Sequence, residues 1–107
     1  MRRVSLRQLR VFASVAKHGS FARAAEELHL SQPAISMQVK ELEAAVELPL
    51  FERSGRRVRL TMPGEYFLVY ARRVLATLKE GGDMMAKLRR VQGGRITIGM
   101  VSTAEYF

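Results

Sequence analysis

Residues 19–46 have the sequence GSFARAAEELHLSQPAISMQVKELEAAV, and this stretch decides the fold. Its first half carries four apolar residues at the i, i+3, i+4 and i+7 spacing of one helix face: Phe21, Ala24, Ala25 and Leu28. Ser20 is placed to cap this helix, and Gly19 ends the one before it. A further helix begins at Ser31 with Pro33 in its first turn, where a missing N–H is not needed. Two helices joined by so short a turn predict a helix-turn-helix.

The helix that begins at Ser31 has two contrasting faces. Its buried stripe is Ile35, Val39, Leu42 and Val46. The opposite face is small, polar and lightly charged: Pro33, Ser36, Met37, Lys40 and Ala44. In a helix-turn-helix such a face enters the major groove, with the N-terminal turns near base edges. Met37 has two open interpretations, contact with a thymine methyl group or packing on the neighbouring hairpin.

A helix precedes this stretch and a basic hairpin follows it. Residues 5–18 show helical apolar spacing, with Ser5 as the cap. Two short strands at 50–53 and 57–61 flank a tight turn. The hairpin carries four arginines, with no acid between the first and the last: Arg53, Arg56, Arg57 and Arg59. This pattern favours a wing that contacts phosphates over a charged edge strand that only prevents aggregation.

A long helical pattern runs from Pro63 to about Val91, after Thr61 as a candidate cap. Its apolar stripe alternates steps of four and three: Phe67, Ala71, Val74, Leu78, Gly81, Met85 and Leu88. We interpret this heptad seam as a dimerisation surface, because so short a chain has little else to cover it. Tyr66 and Tyr70 are expected at that interface or at its junction with the first helix. The pair Gly81-Gly82 permits either a kink or a close helix approach.

Composition narrows the class of partner. The 107 residues include 18 basic and 10 acidic ones, a formal charge of +8, which points to nucleic acid first and an anionic membrane second. Cysteine is absent, and neither histidine has ligands at metal spacing, so we expect no metal and no cofactor. No serine has a histidine at a recognisable catalytic spacing, so we expect no enzyme. No apolar run approaches a membrane span, and we expect a cytoplasmic protein.

The chain resembles the N-terminal domain of LysR-type transcriptional regulators. The motifs that carry the resemblance follow in order: LRQLRVF at 6–12, GSFARAA at 19–25, LSQPAIS at 30–36, LE at 42–43, LFER at 50–53 and LT at 60–61. The tail, GRITIG at 94–99 and STAEYF at 102–107, is similar to the CbbR subgroup, which controls Calvin-cycle carbon-fixation operons. We therefore expect a mainly α fold, a winged helix-turn-helix with a long C-terminal dimerisation (linker) helix.

The resemblance implies roles for individual residues. In the family, the residues matching Gln32, Pro33 and Ser36 lie against DNA bases, and the arginine matching Arg53 serves the wing. The positions matching Ser20, Ser31 and Lys40 are expected near the phosphate backbone. The helical pattern independently places Pro33, Ser36 and Lys40 on the exposed face, whereas Gln32 comes from the resemblance alone. Arg56 and Arg57 join this set as wing residues.

The resemblance also implies an organisation in three parts. Residues 1–61 would form the DNA-binding domain, 62–92 the linker helix, and 93–107 the start of a truncated effector-binding domain. Residues 95–101 alternate like a single strand, so we expect the natural chain to continue. The full-length protein would be a dimer or tetramer that binds a small-molecule effector through the missing domain. Many relatives have Gly where Glu47 stands, so Glu47 either adopts a positive φ or the helix ends differently.

The expected function is sequence-specific regulation of transcription from an interrupted inverted repeat in double-stranded DNA. One alternative is a non-specific architectural DNA-binding protein, for which the basic charge alone suffices. Another is a basic amphipathic helix at a membrane or on a protein partner, which the polar face of the helix at Ser31 disfavours.

Overall fold

The computed structural model describes Met1 and residues 3–94. Its elements are α1 (Leu6–His18), α2 (Phe21–Leu28), α3 (Gln32–Val46), β1 (Phe51–Ser54), β2 (Arg57–Leu60) and α4 (Met62–Gly94). Three helices, a two-stranded antiparallel hairpin and a long helix confirm the predicted winged helix-turn-helix. The strand predicted over residues 95–101 lies outside the described residues.

Serine side chains cap the first three helices, as the sequence predicts. The Ser20 hydroxyl accepts a hydrogen bond from the Arg23 N–H at 3.1 Å, and the Ser31 hydroxyl accepts one from the Ala34 N–H at 3.2 Å. Ser5 caps α1 in the same way. Each cap satisfies an N–H that the first helical turn leaves without a backbone partner. Both helices of the helix-turn-helix therefore begin at defined residues.

The connections after α1, α2 and α3 all use left-handed backbone, and His29 ends α2 with φ 56°. Gly19 ends α1 with φ 62°, and Glu47 ends α3 with φ 61°. Glu47 therefore adopts the positive φ that the sequence left open, at a cost of about 1 kcal/mol relative to glycine. Its N–H donates to the Glu43 carbonyl oxygen at 2.8 Å. The helix therefore ends at Glu47 in a left-handed cap although the residue is not glycine.

The core of the unit Met1–Leu75 consists of two apolar clusters around α1. One cluster joins α1 to α3 and the start of α4: Leu9, Phe12, Leu42, Leu50, Leu68 and Ala71. The other joins α1 to α2 and α3: Val11, Val15, Ala24, Ala25, Ile35 and Val39. Three residues of the predicted α3 stripe are buried here, and the fourth, Val46, is half-buried. Burying this stripe leaves the opposite face of α3 free.

The wing leads into α4 through a close backbone contact. The Thr61 hydroxyl accepts from the Gly64 N–H at 3.0 Å and donates to the Pro49 carbonyl oxygen at 2.6 Å. The Thr61 N–H donates to the Leu50 carbonyl oxygen at 3.0 Å. A Cβ added to Gly64 would stand 2.1 Å from that same oxygen. Glycine at this helical position is therefore required by the packing of α4 on the segment before the wing.

The predicted apolar stripe of α4 divides in the structure. Ala71 is 1% exposed and belongs to the core of its own chain, and Phe67 packs half-buried against that core. Both face inward because the first turns of α4 supply part of the hydrophobic core. Val74 is exposed in the same unit. The second unit begins at Ala76. Three of its stripe residues are exposed, Leu78, Gly81 and Met85, and Leu88 is half-buried.

Candidate nucleic-acid interface

The N-terminal turns of α3 present the predicted base-contacting residues to solvent. Gln32 and Pro33 are exposed, Ser36 is half-buried, and Lys40 is exposed one turn further along. Met37 is 58% exposed, so most of its side chain is open to solvent. This exposure is compatible with contact to a thymine methyl group, the first of the two interpretations of Met37. The exposed face of α3 thus keeps the mixed polar and apolar character that base edges in the major groove require.

The wing is an antiparallel hairpin whose register sorts its arginines. Arg53 pairs with Val58, whereas Arg57 and Arg59 pair with Ser54 and Glu52. Directly paired residues share one face of a hairpin, so Arg53 lies on the face of Val58, and Arg57 and Arg59 lie on the other. The sequence grouped the four arginines together. The structure separates them into two faces and a turn.

Backbone and side-chain contacts hold the inner face of the wing on the helix-turn-helix. The Val58 N–H donates to the Gly19 carbonyl oxygen at 3.3 Å, which ties β2 to the turn between α1 and α2. The Phe51 ring lies 6.2 Å from the Phe21 ring in an edge-on arrangement, measured between centroids. The Arg53 guanidinium lies 4.6 Å from the centroid of the Phe21 ring. The wing is therefore positioned by α2 as well as by its own hydrogen bonds.

Sequence reasoning missed the role of Glu43 in this arrangement. Its carboxylate oxygen accepts from the Leu50 N–H at 2.7 Å and from the Phe51 N–H at 3.3 Å. A carboxylate on α3 thereby holds the entry to the wing and sets the wing relative to the exposed face of α3. The only signal in the sequence is the motif Leu42-Glu43, which does not reveal its partners.

One cleft brings together five of the residues predicted for DNA contact. It has a volume of about 210 Å³ and lies between the start of α2, the start of α3 and the wing. The predicted residues that line it are Ser20, Gln32, Arg53, Arg56 and Arg57. No carboxylate is among its lining residues, so its charge is wholly positive. Ser36 and Lys40 do not line this cleft and lie further along α3.

A second polar cluster, also missed, joins α1 to α2 around Glu27. The Ser14 hydroxyl donates to the Glu27 carboxylate at 2.6 Å, and Lys17 and His18 approach it at 3.3 and 3.1 Å. The hydrogen bond from Ser14, followed by those from Lys17 and His18, lowers the pKa of Glu27 to about 2. This carboxylate fixes the helix that begins the helix-turn-helix against α1.

Within Met1 and residues 3–94, no three His, Cys, Asp or Glu side chains come close enough to hold a metal ion. No helix in that part of the chain is both long and apolar enough to cross a membrane.

Three short helices, the third with one face open to solvent, and a basic hairpin define the winged helix-turn-helix class. The sequence-family model described as 'Bacterial regulatory helix-turn-helix protein, lysR family' matches residues 6–65, more than half of the chain. The chain belongs to this family.

Two transcriptional regulators from other bacteria are similar to this chain over nearly its whole length. The HTH-type transcriptional regulator CfxR of Cupriavidus necator is 50% identical over 107 residues, and the RuBisCO operon transcriptional regulator of Allochromatium vinosum is 51% identical over 104. The chain spans 34% of the length of each of these relatives.

Solved structures show the same fold. The crystal structure of a CbnR_DBD–DNA complex matches with a TM-score of 0.74 and 42% identity, over 80% of this chain and 99% of that one. A BenM_DBD–benA site 1 DNA complex matches with a TM-score of 0.76 and 34% identity, over 80% of this chain and 97% of that one.

Proposed function

We propose that this chain is the DNA-binding part of a sequence-specific transcriptional regulator. The observation that carries the proposal is the wholly basic cleft between the wing and the first turn of α3, beside an exposed face that carries Gln32 and Pro33. Phosphates are the natural partners of its three arginines, and base edges are the natural partners of the α3 face. That similar chains were crystallised with DNA supports the proposal.

The residues divide into two roles. Gln32, Pro33 and Ser36 contact bases, and a glutamine side chain suits the N6 and N7 edge of adenine. The remaining predicted residues contact the sugar-phosphate backbone: Ser20, Ser31, Lys40, Arg53, Arg56 and Arg57. The hydroxyls of the two serines accept from helix N–H groups, which leaves each O–H free to donate. The backbone contacts position the domain and supply the salt-dependent affinity, and the base contacts supply the choice of sequence.

The protein binds an interrupted inverted repeat as a dimer or a tetramer. Within the unit Met1–Leu75, an apolar cleft of about 370 Å³ lies between the end of α3 and the start of α4. Its exposed lining includes Leu48, Met62, Tyr66 and Tyr70, which are 52–68% exposed. Large exposed apolar side chains in one place favour an interface, and a second copy of the chain supplies matching ones.

The rest of the proposed organisation follows the family. Residues 62–92 serve as the linker and dimerisation helix, and residues 93–107 begin a domain that binds a small-molecule effector. The exposed stripe residues Val74, Leu78, Gly81 and Met85 support the first of these assignments. The protein is a regulator and not an enzyme, and it works in the cytoplasm.

Control of carbon-fixation genes is the most specific part of the proposal. It rests on relatives named as regulators of RuBisCO operons, from Allochromatium vinosum and Acidithiobacillus ferrooxidans, at 51% and 42% identity.

Selection of genomic fragments by the purified chain at moderate salt, followed by sequencing, tests the whole proposal. We expect recovery of an A·T-rich inverted repeat upstream of carbon-fixation genes. A repeat upstream of other genes would retain the regulator and reject the carbon-fixation role. Recovery of no motif, with equal binding to random DNA, would replace the proposal with a non-specific architectural protein.

A further inference from the structure

We propose that Phe21 is a positioning residue for Arg53, and that its ring orients the guanidinium of the wing before DNA arrives. The inference rests on the DNA-binding function proposed above. The Arg53 guanidinium carbon lies 4.6 Å from the centroid of the Phe21 ring, within the 6 Å or so over which a ring attracts a cation. Phe21 is the first residue of α2 and Arg53 lies on β1, so the contact joins two elements that meet at the proposed interface.

The register of the hairpin directs Arg53 to this contact. Arg53 is paired with Val58, whose N–H bonds to the carbonyl oxygen of Gly19 beside the start of α2. Arg57 is paired with Ser54 and lies on the opposite face. Among the arginines of the wing, Arg53 is therefore the one that the fold aims at an aromatic ring.

The ring itself is held from the core. The Phe21 centroid lies 6.2 Å from that of Phe51, and Phe51 lies 5.2 Å from Phe12, which is completely buried. Three rings thus connect the centre of the domain to the cation on its surface. Because the Phe51 ring limits how Phe21 can turn, the position of the Arg53 guanidinium is limited as well.

The contact with the ring does not itself occupy the N–H groups of the Arg53 guanidinium. A guanidinium stacks on a ring through its flat face, while its N–H groups project from its edge and can bind a phosphate in a bidentate manner. None of the ion pairs in the described part of the chain involves Arg53. The guanidinium also borders the basic cleft shared with Ser20 and Gln32.

Orientation before binding raises affinity because less side-chain freedom is lost when the complex forms. Removing the ring while keeping an apolar side chain should raise the dissociation constant for DNA about two- to fivefold for each bound domain. The effect should be the same for specific and random duplexes, because a phosphate contact does not depend on base sequence.

A double-mutant cycle tests the inference on the 107-residue chain, by fluorescence anisotropy with a random duplex at fixed moderate salt. We expect Phe21→Leu to weaken binding and Phe21→Tyr, which keeps a ring, to bind like the wild type. In an Arg53→Ala background, Phe21→Leu should have no further effect. Free energies of unfolding measured for each variant separate lost orientation from lost stability, and Phe21→Met replaces Phe21→Leu if that variant does not fold.

Nuclear magnetic resonance of the DNA-free chain supplies an independent measurement. The Arg53 Hδ protons should be shifted upfield by the ring in the wild type and in Phe21→Tyr, and should lose that shift in Phe21→Leu. Equal losses of affinity in both Arg53 backgrounds, or no upfield shift in the wild type, would overturn the role of Phe21. Failure of the wild-type chain to bind any DNA would instead overturn the proposed function, with the upfield shift still observed.

Discussion

Replacement of Gly64 by alanine should destabilise the protein, although alanine is the better helix former. Gly64 lies in the first turns of α4, and alanine is preferred over glycine in an open helix by about 1 kcal/mol. Here the added Cβ would meet the Leu50 carbonyl oxygen at 2.1 Å, and ordinary contact begins near 3.4 Å. Either α4 or the segment before the wing must therefore move by more than 1 Å.

The cost follows from the interactions that such a movement breaks. The hydrogen bonds from the Gly64 N–H to the Thr61 hydroxyl and from the Thr61 N–H to Leu50 are both 3.0 Å long, and each contributes about 1 kcal/mol net. Looser packing of Leu68 and Ala71 adds about 1 kcal/mol or more. Against the gain in helix propensity, we expect Gly64→Ala to lower the free energy of unfolding by about 2–4 kcal/mol.

Gly82→Ala on the same helix is the matched control, because no atom lies within 4 Å of its added Cβ. It should stabilise the chain by about 0.5–1 kcal/mol. Urea denaturation of both variants at one protomer concentration measures the difference, since association makes apparent stability depend on concentration. If Gly64→Ala were neutral or as stabilising as Gly82→Ala, the close contact at Leu50 and the reasoning built on it would be refuted.

Three further predictions concern named side chains. Glu27 has a folded pKa of about 2, below the ordinary 4.5, so its pairing stabilises the protein above pH 4.5 and that stability is lost as the pH falls towards 2. Glu27→Gln should therefore lower stability at pH 7 and flatten this part of the pH profile, and a profile parallel to the wild type would contradict the assignment. Glu43→Ala should lower the free energy of unfolding by about 1–3 kcal/mol and speed hydrogen exchange at the Leu50 N–H. Glu43→Gln, which keeps an acceptor, should cost less. Equal exchange rates in both variants would refute the role of the carboxylate. In titrations with selected and random duplexes, Gln32→Ala should cost about 1–3 kcal/mol of binding free energy on the selected site and little on random DNA. Arg53→Ala should weaken binding to both duplexes and reduce its salt dependence. Equal losses on both duplexes for Gln32→Ala would show that Gln32 does not read a base.

Local sequence signals predicted the helix-turn-helix well. The caps at Ser20 and Ser31 and the stop at Gly19 depend on neighbours within four residues, so the sequence contains them in full. The apolar stripe of α3 was also correct, because a helix that packs on α1 must bury residues at that period.

Contacts between distant segments could not be read from the sequence. The heptad spacing of Ala71 suits a partner helix and a core equally, and only the packing of α4 on α1 shows that Ala71 is buried within its own chain. The pairing of Arg53 with Val58 depends on the length and geometry of the turn between the strands. Glu43 reaches amides seven and eight residues away, across a turn whose shape depends on the left-handed Glu47.

Successive residues of the wing strands face opposite sides of the hairpin, and this alternation limits how the wing can change in evolution. Gly55 at the tip has φ 64°, so a side chain there would be strained even though an added Cβ would meet nothing within 4 Å. Phe51 and Arg53 lie two positions apart in β1 and therefore share a face of the hairpin. One residue inserted between them would exchange the inward-facing and outward-facing residues of the strand. Arg53 would then point away from the Phe21 ring, and Glu52 or Ser54 would face that ring instead. A change in the length of β1 therefore preserves the contact between Arg53 and Phe21 only in steps of two residues.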